Sequence, residues 1–175
     1  MFRNTLARYF LPSADEWYKA AFYDPTTGGY WDYPTGSNSP PIAVASGTAP
    51  GTAVWNQLEG PADVNQAGGL SPFGTMGQAG NVGEYEETEA DLVNDSLTNP
   101  RGIRGSSWIL SIDTVGQSSS YRTVIFPPGG NPINAGFRVA SVPEPSSFGL
   151  AALALLISRL RASRHRHQLS LSHCC

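Results

Sequence analysis

The sequence predicts a loop-rich domain of short helices and strands, and its composition carries this prediction. Glycine (19) and proline (14) make up about a fifth of the 175 residues, and both interrupt regular structure. Charged residues are only 14% of the chain, which argues against a helical bundle. Hydrophobic residues, at 40%, suffice for one domain with a buried core.

The distribution of charge separates the two ends of the chain. Residues 1–147 carry seven lysines and arginines against fourteen acidic residues, and the rest of the chain adds four arginines. An acidic body lacks the clustered cations that bind phosphate backbones. Nucleic acid is therefore excluded as a predicted partner.

The first predicted element is a helix over roughly residues 14–22. Ser13 and Glu16 have the spacing of a capping box, in which each side chain accepts a hydrogen bond from the other residue's backbone. Apolar residues follow Trp17 at helical spacing, and Asp24 before Pro25 favours a stop.

Four aromatic residues interrupt the turn-forming stretch that follows the helix. In a glycine-rich segment, such rings usually anchor an irregular loop to the core. The alternative is a sugar-stacking surface, because exposed rings pack against pyranose faces. The aromatic residues concerned are Tyr23, Tyr30, Trp31 and Tyr33.

Four later stretches have the composition of short strands: residues 53–55, 102–110, 121–126 and 136–140. In the last of them, apolar residues alternate with Arg138. A buried arginine requires a carboxylate partner, and the acidic segment over residues 84–95 is predicted to supply it.

That acidic segment holds six carboxylates in twelve residues and directly follows a glycine-rich run. Its simplest interpretation is a solvated surface segment. The alternative is a site for a hard cation, because backbone carbonyls and carboxylates suit Ca²⁺. No EF-hand pattern is present.

Four blocks in order resemble the formylglycine-generating enzyme family, also called the sulfatase-modifying factor family. They are LPSADEW at 11–17, FGTMGQAGNVGEY at 73–85, RGSSW at 104–108 and GFRVA at 136–140, and they are similar to the family's RLPTEAEW, FGLYDxxGNVWEW, RGGSW and GFRVA. The resemblance covers roughly residues 9–141, and we expect a partial domain, 1–141, that is incomplete at the N-terminus. It implies a loop-rich α+β fold of the C-type-lectin-like kind.

The resemblance also implies a chemistry that this chain cannot perform. Enzymes of the family oxidise a substrate cysteine with copper held by a cysteine pair between the last two blocks, and other branches use iron and histidines. Here no cysteine or histidine occurs in residues 1–164. Without thiolates there is no soft-ligand site for Cu(I), and serines without a histidine base form no triad. We therefore predict no catalytic residues and no copper.

The calcium site that the family implies is only partly present. Gly77 stands where the family has Asp or Asn, whereas the carbonyls of Gly80 and Val82 and the carboxylate of Glu84 remain candidate ligands. The two tryptophans of GNVWEW are replaced here by Gly83 and Tyr85. The loss of a large ring predicts different local packing.

The end of the chain is similar to a PEP-CTERM sorting signal. VPEPSS at 142–147 forms a linker, 148–166 combines a short apolar run with an arginine cluster, and 167–175 is a tail. The ten-residue apolar run is shorter than the roughly 20 residues that cross a bilayer. The resemblance implies a bacterial protein that is exported to the cell envelope or beyond, held transiently at the membrane and processed by an exosortase.

Together these observations predict an exported, non-catalytic sulfatase-modifying-factor-like domain that acts as a binding or structural module for a glycan or protein ligand. One alternative is a degenerate or truncated formylglycine-generating oxidoreductase acting on a protein cysteine. The other is a lectin-like carbohydrate binder.

Overall fold

The computed structural model describes residues 3, 6–96, 98–109, 114–125 and 134–141. Its elements in order are β1 (Tyr9–Phe10), α1 (Ala14–Phe22), β2 (Tyr23–Asp24), β3 (Gly29–Tyr30), β4 (Ile42–Val44), β5 (Thr52–Val54), a 3₁₀ turn (Val64–Gln66), β6 (Gly83–Glu89), β7 (Arg101–Arg104), a second 3₁₀ turn (Thr114–Gln117), β8 (Thr123–Ile125), β9 (Ala135–Phe137) and β10 (Ala140–Ser141). Within the described residues, one α-helix and several small sheets form a loop-rich α+β domain.

The predicted helix and its capping box are confirmed. The Ser13 hydroxyl accepts from the Glu16 amide at 3.3 Å, and a Glu16 carboxylate oxygen accepts from the Ser13 amide at 2.8 Å. These bonds satisfy amides that a helix leaves without partners at its start. The chain becomes extended at Tyr23, where the helix ends.

The largest sheet has four strands in the order β8-β7-β6-β9. Strand β6 pairs antiparallel with β7 and parallel with β9, and β7 pairs antiparallel with β8. This arrangement brings the starts of β6, β8 and β9 and the end of β7 together at one end of the sheet. The remaining sheets have two strands each: β1 with β10, β2 with β3, and β4 with β5.

Helix α1 packs against β6 and carries the described hydrophobic core. Trp17 and Phe22 are almost completely buried, and their rings meet edge to face with centroids 6.0 Å apart. The Ala14 amide donates to the Thr88 hydroxyl at 2.8 Å, which joins the start of the helix to β6. Sheet and helix therefore form two packed layers.

Each of the four predicted stretches overlaps a strand, with bounds that differ from the predicted ones. Strand β7 ends at Arg104 because Gly105 and Ser106 both have a positive φ, 87° and 63°, which turns the chain out of the sheet. The stretch over 136–140 is divided between β9 and β10.

The interpretation of residues 84–95 as a solvated segment is wrong in its first half. Residues Gly83–Glu89 form the central strand β6, and Glu84, Glu86 and Glu89 are buried. Paired arginines make this burial tolerable, as described below.

The predicted linker over 142–147, the sorting segment over 148–166 and the tail over 167–175 lie outside the described residues. Within the described part, no helix combines the length and the apolar character of a membrane span.

Candidate functional site

Glu84 joins the helix, the glycine-rich loop and the GFRVA block. Its Oε2 accepts from Trp17 Nε1 at 2.6 Å and from Arg138 Nε at 2.5 Å, and its Oε1 accepts from Arg138 Nη2 at 2.6 Å. The same Nη2 donates to the Met76 carbonyl at 3.1 Å. Glu84 is only 6% exposed, so the predicted carboxylate partner of Arg138 is confirmed.

Glu86 forms a second buried pair on the same face of β6. Its Oε1 accepts from Arg122 Nε at 2.6 Å and lies 3.6 Å from Arg104 Nε. A Cβ on Gly102 would collide with the carboxylate of Glu86 and the guanidinium of Arg122. Glycine at position 102 therefore leaves the space that this ion pair occupies. Burial lowers the pKa of Arg104, whose guanidinium lies over the Tyr18 ring.

Glu89 ends β6 and is fully buried. Its carboxylate accepts from the Ser96 amide at 2.8 Å and from Asn99 Nδ2 at 2.9 Å, and Arg101 Nη1 lies 3.2 Å away. Carboxylate oxygens of Glu89, Asp91 and Asp95 lie within 4.8 Å of one another. Glu89 already has protein partners, and Asp91 and Asp95 are exposed.

Arg3 links the start of the helix to β6 from the surface. It forms two hydrogen bonds with the Glu16 carboxylate, at 2.5 and 3.0 Å, and one with Glu87 at 2.9 Å. The side-chain hydrogen bond from Arg3 is the main reason that the pKa of Glu16 falls from 4.5 to about 2.

The three residues predicted to bind calcium lie at the start of β6, where Gly80 and Val82 precede the strand and Glu84 is its second residue. The Gly80 amide donates to the Gly105 carbonyl at 2.6 Å, and a Cβ on Gly136 would lie 3.0 Å from Val82 Cγ2. The carboxylate of Glu84 is occupied by the bonds described above. A cation at Glu84 would have to compete with the Arg138 guanidinium.

A cavity of about 200 Å³ lies at the end of the four-stranded sheet where the starts of β6, β8 and β9 meet the end of β7. Side chains alternate between the two faces of a strand. Gly83 of β6 and Ile103 of β7 border the cavity, whereas the next residues, Glu84 and Arg104, belong to the ion pairs. One face of the sheet thus holds the ion pairs, and the other holds the cavity. Its polar lining consists of Ser106, Ser107, Tyr121, Thr123 and Asn134.

The rest of the described lining is apolar and consists of Gly83, Ile103 and Ala135. The sheet register explains this composition, because Gly83 is paired with Ala135 and Ile103 with Thr123. A Cβ on Gly83 would lie 3.0 Å from Ile103 Cγ2. Glycine at this position therefore keeps open part of the space at the end of the sheet.

Ser106 is the most unusual residue of the lining. It is only 6% exposed and has a φ of 63°, in a region that serine adopts at a cost of about 1 kcal/mol or more. Gly116 allows its side chain to fit, since a Cβ there would lie 2.9 Å from the Ser106 hydroxyl. Glycine would meet the backbone requirement at position 106 with less strain, so the hydroxyl itself is the unexplained feature.

The aromatic residues of the loop after the helix are anchored, as predicted. Trp31 Nε1 donates to an Asp24 carboxylate oxygen at 3.3 Å, and the Tyr33 hydroxyl donates to Thr114 Oγ1 at 3.4 Å. Tyr30 packs against the Tyr18 ring at 5.5 Å between centroids but stays 54% exposed. Of the four aromatic residues, Tyr30 is thus the most open.

The cavity was not predicted, although the sequence contains a signal for it. Gly83 replaces a tryptophan of the resembling block, which predicted a change of local packing. The structure places Gly83 in the cavity wall. The contributions of Thr123 and Asn134 could not be predicted, because they depend on strand pairing between distant segments.

No protein-family model matches the chain, and no curated protein matches it. Among solved structures, the chain is similar to Treponema denticola variable protein 1, with a TM-score of 0.57 and 23% identity over 77% of this chain and 48% of that one. It is also similar to CarF, with a TM-score of 0.54 and 24% identity over 81% of this chain and 51% of that one. The chain thus spans about half the length of each. At these identities the likenesses concern the fold alone, and they are compatible with a related fold.

Proposed function

We propose that this chain is an exported, non-catalytic binding module with a formylglycine-generating-enzyme-like fold, and that the cavity beside Gly83 is its binding site. The observation that carries the proposal is the lining: hydrogen-bonding side chains converge there with an apolar wall and without a charged side chain among the described residues. Such a combination holds and orients a ligand.

The rigidity of the scaffold supports binding at this place. Strands β6 and β7 supply both the cavity wall and the buried glutamates and arginines on the opposite face. Hydrogen-bonded ion pairs of this kind fix the position of a backbone more than they add net stability. A preformed cavity lowers the ordering cost that a ligand must overcome.

The sequence supports a non-catalytic role. A copper-dependent oxidation needs thiolates, and residues 1–164 have neither cysteine nor histidine. Among the described residues, the serines in the cavity have no histidine base. The degenerate oxidoreductase is therefore the less favoured function.

The lectin-like alternative has one observation in its favour, which is the 54% exposure of Tyr30 beside the ring of Tyr23, 5.2 Å away. A glycan array with wild type and Tyr30→Ala tests this surface. Loss of a glycan signal in the variant supports it, and an unchanged or absent signal refutes it.

We also propose export and exosortase processing, on the sequence of residues 142–166. The test is cell fractionation of the full chain beside a variant shortened after Ser141. Retention of the full chain at the envelope and its loss in the shortened chain are expected. Equal distribution of the two would refute this part of the proposal.

Calcium bound through Gly80, Val82 and Glu84 stays a prediction. Calorimetric titration of the full chain with Ca²⁺ tests it, with Glu84→Gln as the variant. Since Arg138 occupies this carboxylate, we expect weak binding or none at millimolar Ca²⁺.

The decisive experiment for the non-catalytic assignment incubates the purified full chain with a cysteine-containing peptide, oxygen and either copper or iron. Mass spectrometry of the peptide reports formylglycine. No conversion above the protein-free control is expected. Catalytic conversion by this chain would refute the proposal and favour the oxidoreductase.

A further inference from the structure

The cavity beside Gly83 has properties that select a class of ligand. Its volume is about 200 Å³. A cavity of about 150 Å³ accommodates one benzene molecule, so about 200 Å³ has room for one six-membered ring with a few small substituents. An oligomer or a peptide segment is too large to be enclosed.

The described side chains of the lining favour a neutral ligand over an ion. None of its described side chains carries a charge at neutral pH. The nearby guanidinium groups of Arg104 and Arg122 lie with the Glu86 carboxylate on the opposite face of the sheet. A charged ligand would lose its hydration without gaining a counterion, and this penalty is large.

The polar groups of the lining require a ligand that both donates and accepts hydrogen bonds. The hydroxyl groups of Ser106, Tyr121 and Thr123 have no hydrogen-bond partner within the described part of the chain. Each hydroxyl can donate one bond and accept two. The best complement is therefore a molecule with several hydroxyl groups of its own.

The apolar wall adds a second requirement. Gly83, Ile103 and Ala135 form a surface of C–H groups, and Tyr121 also borders the cavity. A ligand must therefore present one apolar face besides its hydroxyl groups. A pyranose ring combines both, whereas a phenol offers only one hydroxyl and would leave the remaining lining groups unpaired.

We propose that the cavity binds one neutral monosaccharide unit, with Ser106 as a positioning group for a sugar hydroxyl. This inference rests on the proposed binding function and names its ligand class. It also explains why position 106 carries a serine at φ 63°, where glycine would be less strained. The conformation aims a hydroxyl at the ligand and costs stability in return.

The test uses ligand-observed NMR and calorimetry on the full chain. The probes are glucose, galactose and N-acetylglucosamine. Glucuronate, a charged analogue of glucose, and phenol, an aromatic ring with one hydroxyl, serve as comparison ligands. With about twelve heavy atoms at ordinary ligand efficiency, the expected Kd is in the millimolar range. At least one neutral sugar should bind, and glucuronate and phenol should bind more weakly.

Two variants locate the binding. Gly83→Val fills the cavity and should abolish binding. Its control is Gly29→Val, because a Cβ at Gly29 meets only Thr27 Oγ1, at an ordinary distance of 3.7 Å. Ser106→Gly removes the hydroxyl while relieving the backbone, so it should fold normally and bind about tenfold more weakly. Circular dichroism and thermal unfolding report folding of each variant.

Three outcomes overturn the inference: no neutral sugar binds, glucuronate or phenol binds better than the sugars, or the Ser106→Gly variant keeps wild-type affinity. Failure of this kind leaves the non-catalytic assignment standing, because that assignment depends on the peptide oxidation assay. Sugar binding lost in Tyr30→Ala and retained in Ser106→Gly would assign it to the aromatic surface instead.

Discussion

Replacement of Arg138 by alanine should destabilise the domain by about 2–4 kcal/mol. The guanidinium makes two short hydrogen bonds to Glu84 and one to the Met76 carbonyl, and the change removes all three. Loss of one partner from a fully buried ion pair costs about 3–5 kcal/mol. The expected loss of stability is smaller here, because 21% of the Arg138 side chain is exposed and because Trp17 still donates to Glu84.

The assay is urea unfolding followed by circular dichroism, with Arg138→Ala, Glu84→Gln and the double variant compared with wild type. If the pair acts as described, the double variant should lose less than the sum of the single losses, with a coupling of about 1–3 kcal/mol. A loss below about 1 kcal/mol in Arg138→Ala, or additive losses in the double variant, would refute this account.

Three further predictions concern other parts of the domain. A carboxyl whose pKa falls on folding stabilises the fold above its unfolded pKa and loses this contribution as the pH falls towards its folded pKa. In urea unfolding, wild type should therefore be more stable than Glu16→Gln at pH 6, and this difference should decline between pH 4.5 and about 2. The difference should stay below about 1 kcal/mol, because Glu16 is 44% exposed. A constant difference in stability over this pH range would contradict the role of Arg3. Gly102→Ala should cost about 1–3 kcal/mol by displacing Glu86, and a thermal midpoint equal to that of wild type would disprove the steric argument. Leu92→Gly should be neutral or stabilise by up to about 1 kcal/mol, since Leu92 is exposed and has a φ of 69°; a clear loss in chemical denaturation would show that its side chain contributes to packing.

The parts of the fold that depend on near neighbours were predictable from the sequence. The capping box between Ser13 and Glu16 spans three residues, so its pattern determines where α1 begins. The need of Arg138 for a carboxylate followed from its place in an apolar stretch. The acidic segment was the right source, although the particular partner, Glu84, follows only from the packing of the sheet.

The parts that depend on distant segments were not predictable. The sequence of β6 has the composition of a charged surface segment, yet the strand is buried. Its burial is possible because three of its glutamates pair with arginines that lie up to 54 residues away in the sequence. Local composition cannot report such partners, and β propensity gave no strand signal for a glutamate-rich run. The cavity has the same origin, since β7, β8 and β9 reach β6 from separate parts of the chain.

The pairing of β1 with β10 has a consequence for how the domain can be joined to other chains. Tyr9 lies opposite Ser141 and Phe10 opposite Ala140, so the first and last strands of the described part are adjacent, about 5 Å apart. A segment whose first and last strands are adjacent can be inserted into a surface loop of a host protein without forcing the ends of that loop apart. The same geometry permits a circular permutant in which a short linker joins the two strands and new ends are opened in an exposed turn.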